Sequence, residues 1–121
     1  MTPLRVVLVA VAGSVGAVVR YWIGSSIGLR SFPWATLGVN VVGSLLLGVV
    51  LGGPGAERWS ATTTTAVAVG FLGAFTTFST FAFEAADLVR SDRTTVAVAY
   101  VASSIVLGLG ASALGFVMAR A

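Results

Sequence analysis

The chain reads as long apolar stretches separated by three short clusters of Gly, Pro, Ser and charged residues. The first stretch runs from about Leu4 to Ile27 and ends at a loop with Arg30, Ser31 and Pro33. The second runs from about Trp34 to Leu51, and the breaker-rich segment Gly52 to Arg58 follows it. The third extends from about Ala61 to Val89, the charged turn Arg90 to Arg93 closes it, and the fourth runs from Thr94 to about Ala119. A bilayer hydrocarbon core is crossed by about 20 residues of helix. Each stretch reaches or nearly reaches that length, so the pattern predicts four transmembrane helices with both termini on one side.

Composition leaves few alternatives. Of the 121 residues, 57% are hydrophobic and 9% are charged, and the mean hydropathy is +1.02. A soluble domain of this size needs a polar surface that so few charges cannot make. The fold class expected is therefore all-α, a single four-helix transmembrane domain over residues 1–121. Arg5 and the apolar run after it look superficially like a signal peptide, but equally apolar segments follow along the whole chain, which favours a first span.

The absence of Cys and His excludes disulfides, thiolate sites and imidazole chemistry. Every basic residue is Arg, and the arginines are scattered singly, unlike a phosphate-binding footprint. Nucleic acid is thus not an expected partner. Orientation normally follows the Lys/Arg bias between loops. Here Arg5, Arg58 and Arg120 on one side balance Arg30, Arg90 and Arg93 on the other, with Arg20 near the end of span one. The rule thus gives no orientation: the balance is either the noise of small counts or what a chain inserting in both orientations and pairing antiparallel would carry. Small residues recur along the spans, at Gly13, Gly16, Ala17, Gly24, Gly43, Gly48, Gly108 and Gly115, and permit close helix approach in lipid.

The third stretch is too long for a straight perpendicular helix at 1.5 Å per residue. Its centre, Gly70 to Phe81, holds two glycines, then a Thr/Ser cluster, with Phe75, Phe78 and Phe81 three apart. A long tilted helix is one reading. The composition favours the other, a break near Gly73 to Thr77. Carbonyls freed at midplane must be satisfied by protein, water or an ion, and unwound carbonyls in membrane helices commonly hold hard cations. The phenylalanines form either an apolar face or a row of rings whose positive edges an anion can approach.

Polar residues in the other spans must also face inward. Asn40, with Thr36 one turn earlier, is either helix-to-helix glue or a donor on an anion path. Tyr100 and Ser104 stand at i, i+4, with Ser103 beside them and Ser112 two turns beyond Ser104, as a hydroxyl stripe. Arg20 and Glu84 sit near span ends and are possible structural partners or vestibule residues. No acid–base pair suits hydrolysis and, without Lys, no phosphate loop is possible. An enzyme is not expected. A path of neutral donors suits a small anion that must both enter and leave.

These residues carry a resemblance. The run Gly70 to Phe81 with Glu84 following, the segment Gly13 to Tyr21, and the segment Thr36 to Ser44 closely resemble the hallmarks of the Fluc (CrcB) fluoride channels across essentially the whole chain. The resemblance implies passive fluoride efflux across the cell inner (plasma) membrane, which relieves fluoride toxicity. It implies an antiparallel, dual-topology homodimer with two pores. It also implies a central structural sodium ion, held by backbone carbonyls of Gly73 and Thr76 of both subunits. Phe78 and Phe81 would line the fluoride path, Asn40 would be its asparagine, and the hydroxyl track would include Thr77, Ser79 or Thr80, together with Tyr100 and Ser104. Family members carry a further serine one turn after Ser104. Gly108 stands there in this chain, with Ser112 or water as the alternatives for the missing hydroxyl. A small multidrug exporter also has four short spans but needs a membrane-embedded carboxylate, and span one has none. A non-transporting structural subunit is the remaining alternative.

Overall fold

The computed structural model describes residues 1–28 and 30–121 and is all-helical, with no strand among the described residues. Helix α1 spans Pro3–Ile27 and starts with the Thr2 hydroxyl accepting from the Arg5 amide at 3.2 Å. Helix α2 spans Trp34–Gly52. The segment Gly52 to Arg58, expected as loop, contains one helical turn, α3 (Pro54–Glu57), with proline at its start where no amide is needed. The last span is a single helix, α7 (Thr94–Arg120). Four stretches are long and apolar enough to cross a membrane: Pro3–Ile27, Trp34–Glu57, Ala61–Arg90 and Thr94–Arg120.

The third span is not one helix. It begins as α4 (Ala61–Thr65), capped by Ser60 Oγ accepting from Thr63 N at 3.1 Å. It widens into a π-helical segment over Ala66–Leu72, tightens again as α5 (Gly73–Phe75), and stops. Thr76 and Thr77 are extended, with ψ of 160° and 121°. Helix α6 (Phe78–Arg90) resumes with Thr77 Oγ1 capping the Thr80 amide at 3.3 Å. The expected break is thus present. The π segment was not anticipated; such widenings are rare and tend to sit beside functional sites.

Close backbone approach holds the spans together. A Cβ at Gly48 would collide with the Ser112 carbonyl, and one at Gly115 with the Leu45 carbonyl, so α2 and α7 touch main chain to main chain. On the other side α1 packs on the π segment and α5, where a Cβ at Gly16 would collide with the Phe71 carbonyl. The break changes partners: before it the third span lies on α1, after it α6 lies on α7. A compact apolar cluster of Leu37, Leu88, Ala97 and the fully buried Tyr100 forms where α2, α6 and α7 meet. Of the most apolar window of each span, 39% is buried for α2 but 6% for α1 and for α7. Much of α1 and α7 is therefore left to lipid or to another protein surface.

Candidate functional site

Asn40 organises the break. Its Nδ2 donates to the Thr77 carbonyl at 3.0 Å, and its Oδ1 accepts from the Thr77 amide at 2.8 Å. A carboxamide carries the donor and acceptor of a peptide group, so it replaces both helical partners that an extended residue loses. In lipid each such group left unpaired would cost several kcal/mol, on the order of the transfer penalty. The Thr77 amide would close onto the Gly73 carbonyl in a continuous helix, and Asn40 takes it instead. Arg20 Nε donates to the Ala74 carbonyl at 3.0 Å, which ties α1 to the same break. The Thr76 hydroxyl and amide both go back to the Leu72 carbonyl, at 2.9 Å and 3.1 Å.

Two cavities lie on either side of this knot. The larger, about 620 Å³, opens between the ends of α1 and α2 and the flank of α6. Its lining includes Arg20, Arg30 and Arg93 with Glu84 and Asp87, and also Thr77 and Thr80. The smaller, about 360 Å³, is lined by Asn40, Ser44, Gly73, Thr76, Thr77, Phe78, Phe81, Ser104 and Gly108 among others, with no charged residue. Thr77 lines both. An arginine-weighted vestibule raises the local concentration of anions, and a neutral cavity can hold one without trapping it.

The structure gathers most of the sequence-predicted residues but divides them. Asn40, Thr77, Phe78, Phe81, Ser104, Gly73 and Thr76 meet at the small cavity, while Arg20, Thr80 and Glu84 line the vestibule. Ser79 is exposed and lines neither. Tyr100 is in the core, and its hydroxyl donates to Glu84 Oε1 at 2.9 Å, so Glu84 pairs with Tyr100 rather than with Arg20. The rings form a chain: Phe78 to Phe81 at 5.9 Å between centroids, and Phe81 to Tyr100 at 5.1 Å in an edge-on arrangement. Phe78 is 78% exposed. Ser104 Oγ is buried with no hydrogen-bond partner. Ser112 lines neither cavity; its carbonyl is pressed against Gly48.

Sequence reasoning passed over Ser44 as a site residue. It lies one helical turn after Asn40, and that i, i+4 spacing was the available signal.

Comparison with known proteins adds a family. The sequence profile of CrcB-like protein, Camphor Resistance (CrcB), matches residues 7–116. A protein of Rhodococcus jostii (strain RHA1) named fluoride-specific ion channel FluC 2 is 43% identical over 114 residues, 93% of this chain and 96% of its own. One of Ignicoccus hospitalis (strain KIN4/I) named fluoride-specific ion channel FluC is 44% identical over 110 residues, covering 90% and 89%. A third, of Hahella chejuensis (strain KCTC 2396) and bearing the same name, is 40% identical over 131 residues, covering 99% and 98%.

Proposed function

The chain belongs to the CrcB-like family, and from that premise we propose that it is a fluoride-selective channel carrying passive fluoride efflux across the cell inner (plasma) membrane. It is a multi-pass membrane protein of a channel family and not an enzyme. The observation that carries the reading is the small cavity at the helix break, walled by neutral donors and phenylalanine rings, with an arginine-bearing cavity that shares Thr77 with it. A fluoride ion arriving there must exchange water for other hydrogen-bond donors. The Thr77 and Ser104 hydroxyls and the edges of Phe78 and Phe81 are the groups on hand. Asn40 contributes mainly by holding Thr77, since its carbonyl and at least one amide hydrogen go to that backbone. A neutral lining binds a small anion weakly enough for release, which conduction requires.

The working unit in this proposal is an antiparallel homodimer with two pores, built from copies inserted in opposite senses. The balanced arginine count and the exposed apolar faces of α1 and α7 support it. A central structural sodium ion belongs to the same proposal, and the residues fit one. No group of His, Cys, Asp or Glu able to hold a metal occurs among the described residues, so neutral oxygens are the donor set. The Gly73 carbonyl has lost the Thr77 amide to Asn40, and Gly73 and Thr76 line one cavity. Carbonyl oxygens suit a hard monovalent cation, and a second copy would bring the same pair. The ion would tie two broken spans together at midplane.

Proteoliposomes loaded with fluoride or with chloride test the function directly. Fluoride efflux read by an ion-selective electrode should exceed chloride efflux by at least about a hundredfold, a difference of about 3 kcal/mol in barrier. Equal rates for the two anions, or none for fluoride, would remove the reading.

A further inference from the structure

Along α7 the residues Tyr100, Ser104, Gly108 and Ser112 follow one another at four-residue spacing, and Gly108 interrupts the hydroxyls. The structure gives that gap a neighbour. A Cβ built on Gly108 meets only one atom within 4 Å, the Ser44 hydroxyl oxygen, at 3.9 Å. Ser44 comes from the facing helix α2 and lines the same small cavity as Ser104 and Gly108. Ser112, the other hydroxyl along the stripe, is outside that cavity. Ser104 Oγ is buried there and unpaired, and a polar atom in that state calls for water or a ligand.

We propose that Ser44 supplies, from α2, the hydroxyl that the ion path lacks at Gly108, so that the donor sequence crosses from one helix to the other beyond Ser104. The proposal deepens the channel reading and rests on it. An anion leaving the Ser104 hydroxyl would accept next from Ser44. Both groups are neutral O–H donors, so the step neither traps nor repels the ion. The close contact of α2 with α7 is what makes the exchange possible, because it brings the α2 side chain to the space that a side chain at 108 would otherwise fill. Ser44 stands one turn from Asn40, so one face of α2 both holds the break and continues the path.

The space at Gly108 supplies the test. A Cβ at 108 meets no closer contact than 3.9 Å, so a hydroxyl can be removed from one helix and restored from the other. Fluoride efflux from proteoliposomes is compared for wild type, Ser44→Ala, Gly108→Ser, and the double variant Ser44→Ala/Gly108→Ser. Ser44→Ala should slow fluoride efflux by about tenfold, the scale of one lost hydrogen bond. The double variant should return to within about threefold of wild type. A Ser44→Ala rate within about threefold of wild type would overturn the proposal. So would a slow Ser44→Ala protein that Gly108→Ser fails to restore, since the loss would then come from altered packing. A wild-type protein that passes no fluoride would sink the channel reading itself, an outcome seen before any variant is compared.

Discussion

Asn40 places both ends of its carboxamide on the main chain of Thr77. The sequence showed that an amide in an apolar span must be paired, but its partner lies 37 residues away. No spacing rule reaches that far. Tyr100 behaves similarly: its place on a hydroxyl stripe was legible, while its commitment to Glu84 was set by how α6 folds back on α7. The Asn40 geometry makes a direct prediction. Asn40→Asp keeps an acceptor for the Thr77 amide, loses the donor to the Thr77 carbonyl, and brings a negative charge to the small cavity. Its fluoride efflux should fall more than about tenfold. Its unfolding free energy should drop by about 1–3 kcal/mol, the cost of one unpaired buried carbonyl. Proteoliposome flux and thermal denaturation in detergent check the two halves, and unchanged flux would detach Asn40 from the path.

The third span earns its irregularity from composition. Two glycines and a Thr/Ser cluster weaken the helix where Thr77 leaves it, and the span is too long to stay straight. Those features located the break to within a few residues of Thr76 and Thr77. They did not mark the π-helical turn over Ala66–Leu72, because Val and Ala there read as ordinary helix. Packing of α1 against Gly70, where a Cβ would stand 3.0 Å from that of Ala12, is a contact between elements. The small residues form one group in the sequence, and the structure sorts them: Gly48 and Gly115 are among the points where α2 and α7 touch, while Gly24 faces open space. Gly48→Leu should therefore force these helices apart. It should lower stability by about 2 kcal/mol or more, measured as a fall in melting temperature, whereas Gly24→Leu should leave it within about 0.5 kcal/mol. Equal effects at the two sites would argue against a main-chain seam between α2 and α7.

At the scale of the whole molecule the chain leaves large apolar faces uncovered. Large apolar residues line the outside of α1 and α7, among them Trp22 at 67% and Leu109 at 70% exposure. Lipid accepts such faces without cost, and so does a second copy. Dual topology decides between arrangements and is open to a simple measurement. The chain has no cysteine, so Ala121→Cys introduces a single thiol at the C-terminus. In right-side-out and inside-out vesicles, a membrane-impermeant maleimide should label about half of the protein from each face. Labelling from one face alone would rule out the antiparallel dimer.

The sequence by itself determined the solvent, the number of spans and the weak point in the third, because hydropathy, helix length and glycine content are properties of contiguous residues. It also marked which polar groups could not be left facing lipid. Tertiary structure decided who satisfies whom: Asn40 with Thr77, Arg20 with Ala74, Tyr100 with Glu84. It decided as well that Ser44 and Gly108 come together in the lining of one cavity. Hydrogen bonds act over about 3 Å, and which groups come that close depends on how the helices cross, which no stretch of the chain encodes alone.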